Sequence, residues 1–417
     1  MNNFKWMIVL VGITGASLAL NVLTNMGYIG NWILFGLYLV LLVLGLLGLI
    51  LTLIGSGLNL LPVVNISLKG FATSALKITL IGILMLVVQT VISDVFKFTP
   101  KTAELASIET VELNGREEAI TIRGKEDAPV ILFLAGGPGG SQVQATRMFF
   151  DELEEAYTII NWEQPGSGMS YGVIDQSELT VDTYIEDGHA LTQYLKDRFN
   201  QEKIYIIGES WGSYLGIELV NAYPEDYHAI ITAGQMVDFV ETEIYCYHKA
   251  IEVATERNDT DLVETLEALG EPPYYEGNLG LTSGKYLTYL HQYMNTIDDV
   301  NRTSYDTFDD LFSPEYSILD SINYLRALLF TFDTVYRQLY ETDLRESLTE
   351  LEVPIYIMHG RHDINAPLYL AEDYFEQINA PVKEMIIYEH SGHNPWINEP
   401  ELFQENVARI IESTIDN

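Results

Sequence analysis

From Trp32 to Ile54 the chain runs without a charged side chain, and so does the earlier stretch Trp6 to Thr24. Each is long enough to cross the hydrocarbon of a bilayer as a helix, the form in which a lone segment satisfies its own backbone there. A third apolar stretch, about Ala72 to Val95, carries Lys77 near one end and Asp94 at the other, where each can reach an interface. Residues 1–100 are therefore expected to form a membrane anchor of about three transmembrane helices (6–24, 32–54, 72–95), with the lipid bilayer as partner. The remainder is the opposite kind of polymer. The first hundred residues hold only Lys5, Lys69, Lys77, Lys97 and Asp94 of the chain's 22 basic and 59 acidic residues, so residues 101–417 carry 18 basic and 58 acidic ones, a formal −40. Such a surface repels nucleic acid and attracts cations, although most of its carboxylates need do no more than keep it soluble.

The loops set an orientation. Lys5, Lys69 and Lys77 fall on one side and the uncharged turn 25–31 on the other, so the positive-inside rule places the N-terminus inside and the soluble part outside, as a multi-pass protein of the cell membrane. If the first stretch is instead a signal peptide cleaved near Ser17-Leu18-Ala19, two spans remain and the domain is still external. Cys246 is the only cysteine, which excludes an internal disulfide and a cysteine-based metal site. It is expected to pack as a small apolar residue.

Beyond the anchor, Ile108–Leu113 and Ala119–Arg123 flank Asn114-Gly115, a hairpin signal. Val130–Leu134 is a continuous apolar run, the mark of a strand buried on both faces. A glycine-rich loop, Gly136-Gly137-Pro138-Gly139-Gly140, comes directly after it. Ala145–Ala156 fits a helix, Tyr157–Trp162 a strand, Val181–Phe199 a helix, and Ile204–Ile207 and His228–Ala233 two further strands. From Val237 to Leu348 the apolar spacing turns helical and tyrosines accumulate (Tyr245, Tyr247, Tyr274, Tyr275, Tyr286, Tyr289, Tyr293, Tyr305). The alternation then resumes with strands Pro354–Met358 and Lys383–Tyr388 and helices Ala366–Gln377 and Glu399–Ser413. The expected fold class is α/β: a mostly parallel sheet with helices on both faces, its core in residues 101–236 and 349–417, interrupted by a helical cap at 237–348.

The chemistry gathers at Gly208-Glu209-Ser210-Trp211-Gly212, between a strand and a helix. Small residues either side let the turn tighten so that Ser210 stands clear of the backbone. A serine hydroxyl needs a base within reach, and that base needs an orienting carboxylate. Asp363 follows one strand and His393 the next, giving the order Ser…Asp…His. His390 is the rival base but continues its strand; Asp373 is the rival acid but lies within a helix; His362 adjoins Asp363. His189, His228, His248 and His291 follow no ligand spacing and are expected to be structural. The N–H groups of Trp211 and Gly137 would receive the oxyanion. This chemistry requires no metal and no cofactor.

Gly136-Gly137-Pro138-Gly139-Gly140, the turn Gln164-Pro165-Gly166-Ser167-Gly168-Met169-Ser170, Gly208-Glu209-Ser210-Trp211-Gly212-Ser213, Gly360-Arg361-His362-Asp363 and Ser391-Gly392-His393 together resemble the proline iminopeptidase (prolyl aminopeptidase) family of α/β-hydrolases, over about residues 105–415. The resemblance implies a triad of Ser210, Asp363 and His393, an oxyanion hole of Gly137 and Trp211, and small peptides with a free N-terminus as substrates. The chain departs from the family at Ala135, Pro165 and Glu209, where His, Arg and Gly are usual. For the family's amine-binding cap glutamates, Glu241 and Glu243 are positional matches only, and Glu209 is a further substrate-binding candidate. Glu209 and the glycine loop also resemble serine carboxypeptidases, which place a glutamate before the nucleophile; a loop-fixing carboxylate is the plainer role. An esterase or lipase acting on membrane-derived or small esters is the competing enzyme, and a non-catalytic membrane-tethered binding protein the competing class.

Overall fold

The computed structural model describes residues 27–57, 68–303 and 305–415. They form two compact units, one holding the described residues up to Phe98 together with Phe312–Ser321, the other holding 99–311 and 322 onward.

In the first unit, α1 (Gly27–Gly57) and α2 (Leu68–Val95) lie against each other along small residues. A Cβ added at Gly45 would come 2.4 Å from Thr79 Oγ1 and 2.6 Å from its backbone nitrogen, so only glycine allows this approach. Leu37, Leu44, Leu51, Leu80, Val87 and Val91 point away from the contact and are exposed. Trp32–Ile54 and Gly70–Val95 are long and apolar enough to cross a membrane. The expected count of three is thus two among the described residues, because the stretch 6–24 lies outside them. Residues 312–321, expected within the cap, belong here: Phe98 N–H donates to Pro314 O at 3.0 Å and Ile318 N–H to Ser93 Oγ at 3.1 Å.

The second unit is built on an eight-stranded sheet of order β1-β2-β4-β3-β5-β6-β7-β8: β1 (Leu105–Leu113), β2 (Arg116–Gly124), β3 (Val130–Leu134), β4 (Thr158–Trp162), β5 (Ile204–Glu209), β6 (Tyr227–Ala233), β7 (Ile355–Gly360) and β8 (Lys383–Tyr388). β2 runs antiparallel to both of its neighbours, and every other pairing is parallel. The hairpin turn has φ of 48° at Asn114 and 84° at Gly115, the signature of a type I′ turn. Alternate residues serve two cores. Val130, Leu132, Leu134, Ile206 and Ile357 pack on one face, Ile131, Phe133, Ile207 and Met358 on the other, all fully buried. Each such side chain contributes about 1.5–3 kcal/mol, which is why the central strands read as unbroken apolar runs.

Helices α3 (Val143–Phe149), α4 (Asp151–Glu154), α5 (Val181–Phe199) and α6 (Trp211–Ala222) connect the first six strands. The single helix expected over 145–156 breaks at Phe150, whose φ of −115° leaves the helical region. Its ring is drawn into the core, stacked on Phe403 at 5.9 Å and edge-on to Phe133, while Gln404 Oε1 accepts the N–H groups of Glu152 and Leu153. Between β6 and β7 the elements are helical: α7 (Phe239–Glu256), α8 (Thr260–Leu269), α9 (Ser283–Met294), α10 (Ile318–Tyr336) and α11 (Leu344–Ser347), with short 3₁₀ turns. Cys246 is buried there and its thiol donates to Ile364 O at 3.3 Å. The chain closes with α12 (Leu368–Gln377), α13 (Pro395–Asn398) and α14 (Pro400–Ile415).

Candidate active site

In a parallel sheet the C-terminal strand ends lie along one edge, and the residues with chemistry follow strands β3, β5, β7 and β8 there. Ser210 connects β5 to α6 with φ 54° and ψ −119°, a conformation that costs a non-glycine residue about 1–3 kcal/mol and turns its side chain out of the chain's path. The turn is held from several sides. Ser210 N–H donates to Ala233 O at 2.9 Å, and Ser213 Oγ donates to Ser210 O at 2.5 Å while accepting Met236 N–H at 3.0 Å. A Cβ at Gly212 would lie 2.0 Å from Leu134 O, so α6 can start against β3 only with glycine there.

His393 Nδ1 faces Asp363 at 3.0 Å from Oδ1 and 2.9 Å from Oδ2. Asp363 is fixed in turn by Ala366 N–H at 2.9 Å and by His359, whose Nε2 is 3.3 Å from Oδ2 and 2.8 Å from Ala366 O. Because His359 Nδ1 accepts Gln235 N–H at 3.2 Å, its proton sits on Nε2, and burial keeps the ring below its ordinary pKa. His359 is thus a neutral donor behind the acid. Sequence reasoning passed over it; a histidine ending an otherwise apolar buried strand was the available signal. The rivals are placed elsewhere. His390 lies beyond the end of β8, exposed, with Nδ1 3.0 Å from Asp299 O, and Asp373 is on α12 facing Arg345.

Ser210 and His393 border one cavity of about 220 Å³, together with Gly136, Gly137 and Gln142. The inserted helices close it with Leu287 and His291 from α9, Tyr324 and Leu328 from α10, and Asp306 and Phe308 from the segment before α10. A smaller chamber of about 70 Å³ adjoins Ser210, with Trp211, Met236, Phe239, Leu287, Phe332 and Tyr336 on its apolar side and Asn365 and His393 among its polar walls. Gly137, at φ 134°, and Trp211 line this chamber, and among the described residues neither N–H donates to a protein acceptor. Trp211 is held by its indole N–H on Gln164 Oε1 at 2.9 Å, and Gln164 Nε2 reaches Ala135 O at 3.2 Å. The turn 164–170 thereby fixes the glycine loop against the serine turn.

Glu209 is 2% exposed and its carboxylate also lines the cavity. Oε2 accepts from Gln142 Nε2 at 3.0 Å and Oε1 from Asn394 Nδ2 at 2.8 Å; Oε1 also lies 3.5 Å from His393 Nε2. Burial pushes the Glu209 carboxyl up, opposed by the charge of His393. Burial alone would lower His393, but the carboxylates of Asp363 and Glu209 outweigh it and push the ring up to about 9. Asp363 moves the other way: burial raises it, and His393 and His359 bring it below the usual range. His291, expected to be structural, borders the cavity, and burial lowers its pKa. Glu241 and Glu243 are not among the cavity walls. Glu241 pairs with Arg345 at 2.8 Å and accepts from Tyr369 OH; Glu243 is fully buried, accepting from Ser283 Oγ at 2.6 Å and from Tyr286 OH. Gln142 and Asn394 also escaped the sequence reading, since nothing in their neighbourhood predicts a shared carboxylate.

The alpha/beta hydrolase fold family model matches residues 129–246. Among similar proteins, "Probable aminopeptidase YbaC" of Bacillus subtilis is 27% identical over 320 residues, 74% of this chain and 98% of its own length. Proline iminopeptidase of Saccharolobus solfataricus is 23% identical over 288 residues, covering 68% of this chain and 84% of that one. The crystal structure of proline iminopeptidase from Mycobacterium smegmatis matches with a TM-score of 0.53 at 17% identity, over 74% of this chain and 98% of that one, a likeness of fold. Sheet order, serine turn and these likenesses agree: the chain has the α/β-hydrolase fold and is similar in sequence to aminopeptidases and proline iminopeptidases.

Proposed function

We propose that this is a membrane-anchored serine hydrolase that releases N-terminal residues from small peptides through an acyl-enzyme. The observation that carries the reading is Ser210, held at positive φ on the β5–α6 turn and bordering the same cavity as a histidine whose far nitrogen is fixed by Asp363. Ser210 Oγ attacks the scissile carbonyl carbon as its proton passes to His393 Nε2. The oxyanion rests on the N–H groups of Gly137 and Trp211. His393 returns the proton to the leaving amine, the C–N bond breaks, and water, deprotonated by His393, hydrolyses the Ser210 ester to a carboxylate. Asp363 keeps the imidazole oriented and stabilises its charged form. Among the described residues no hydrogen bond joins Ser210 Oγ to His393 Nε2; that contact forms with substrate in place, as such bonds often tighten only in the complex.

The chamber beside Ser210 suits a small apolar side chain or ring at the acyl position, and the acidic domain draws the substrate's amine. Residues 237–348 act as the cap, apart from the segment grouped with the apolar helices. α1 and α2 hold the enzyme in the bilayer, with the hydrolase domain outside. The apolar side of the chamber favours a second reading, hydrolysis of small or membrane-derived esters. A fluorophosphonate probe tests the class: the wild type is labelled and Ser210→Ala is not, and equal labelling of both ends the proposal. Aminoacyl, prolyl and short-chain ester substrates then separate the two readings, hydrolysis of esters alone selecting the second.

A further inference from the structure

We propose that Glu209 receives the substrate's α-ammonium group and that this pairing frees His393 to act as base, so that the substrate itself switches the site on. The inference rests on the aminopeptidase reading. Its basis is one atom with two claims on it. His393 Nε2 must be empty to take the proton of Ser210, yet it lies 3.5 Å from Glu209 Oε1. The other ring nitrogen is committed to Asp363, so a proton gained at Nε2 leaves an imidazolium between two carboxylates. Glu209 cannot swing away, because Gln142 and Asn394 each hold one of its oxygens, and Gly136 passes so near that a Cβ there would lie 2.2 Å from Oε2.

The groups facing His393 are Asp363 beyond β7, Glu209 at the end of β5, His359 on β7 and His291 on α9; burial lowers both of these other histidines, which leaves the carboxylates to govern its charge. Glu209 itself faces His393 and, further off, Asp363. With His393 raised to about 9, the empty enzyme at pH 7 holds this ring mainly in its protonated form.

The cavity walls say what relieves this. They include the carboxylates of Glu209 and Asp306 and, among the described residues, no lysine or arginine. With His393 protonated the walls set two carboxylates against one imidazolium, so an ammonium is drawn in and competes with that ring for Glu209. Once it pairs with Glu209, the attraction holding the Nε2 proton is spent, that proton leaves to solvent, and Nε2 can accept the Ser210 proton as Oγ attacks.

The test compares pH profiles of kcat and kcat/KM for wild type and Glu209→Gln, using an aminoacyl amide with a free ammonium and a neutral acetate ester. In wild type the ester should show the same acidic limb in both parameters, near the raised His393 value, whereas the aminoacyl amide should show its kcat limb about 1–3 pH units lower than its kcat/KM limb. Glu209→Gln should lower the ester limb by a similar amount and erase the gap between the two parameters. An ester limb that stays in place in Glu209→Gln overturns the switch, and an undiminished preference for the ammonium substrate overturns the recognition. If that variant does not fold, Asn394→Ala keeps the charge but loosens its aim, and should move the limb the same way by less; no movement overturns the proposal. Failure of the aminopeptidase reading has a different sign: wild type then cleaves no aminoacyl amide, while ester hydrolysis that depends on Ser210 persists.

Discussion

The strand ends and the inserted helices enclose the same cavity but are held in different ways. At the strand ends, position is set by backbone: Ser210 at positive φ, Gly212 with Leu134 O where a Cβ would sit, Asp363 tied by Ala366 N–H. In the insertion, position is set by side-chain packing, with Cys246, Tyr247, Leu266, Tyr286 and Leu290 forming their own core and Glu243 buried beside it. A backbone shelf fixes reacting atoms to fractions of an ångström, which the chemistry needs. A packed lid tolerates substitution, which lets binding be adjusted without disturbing the chemistry.

The sharpest way to break this contrast is on the shelf. Asp363→Asn should keep the fold, because the amide oxygen still accepts Ala366 N–H, yet lower kcat by about 10⁴-fold, since the imidazole loses both its tautomer and its counter-charge. A loss below tenfold, measured against a substrate that wild type turns over, would remove Asp363 from its role. In the insertion, Phe332→Ala should enlarge the apolar chamber and change kcat/KM for small apolar acyl groups by about 10–200-fold, with Ser210 labelling unchanged. An equal loss of labelling would mean that the lid, too, positions the serine.

The smallest effect on activity, and the one that sharpens the comparison by stability, is Glu243→Gln. Burial raises Glu243 to about 7, with Ser283 and Tyr286 pulling the other way. The folded state then holds a proton that the unfolded state releases near 4.5, so the contribution of Glu243 is full below about pH 4.5 and is lost as pH rises towards 7. That loss is on the order of 3 kcal/mol at most. The difference in melting temperature between Glu243→Gln and wild type should therefore widen in favour of the variant over this interval. A difference independent of pH would contradict it.

Legibility in the sequence divides along the same line. Local backbone demands leave local marks: Asn114-Gly115 and the glycines around Ser210 announced their turns, and uninterrupted apolar runs announced the central strands. Side chains that meet across long separations leave none. Glu209 gathers Gln142 and Asn394 from 67 and 185 residues away, and His359 reaches Gln235 from 124. The helix expected over 145–156 broke at Phe150 because a core contact with Phe403 outweighed a favourable local pattern. For amine-binding cap glutamates the sequence offers position alone, and neither Glu241 nor Glu243 is among the walls of the cavity.

The glycine at the end of β7 has a consequence for descent. A Cβ at Gly360 would lie 1.9 Å from Gly392 O, so the loops bearing Asp363 and His393 touch backbone to backbone. Asp363 and His393, the proposed acid and base, are therefore carried on loops that must be kept together, both encoded after the insertion has ended. The insertion meets these loops at particular points, Cys246 Sγ on Ile364 O at 3.3 Å and Asn301 N–H on His390 O at 2.8 Å among them, so it can be rebuilt where those contacts are kept. New specificities in such a lineage are expected to arise by replacing lids, with the hinge between Gly360 and Gly392 passed on unchanged.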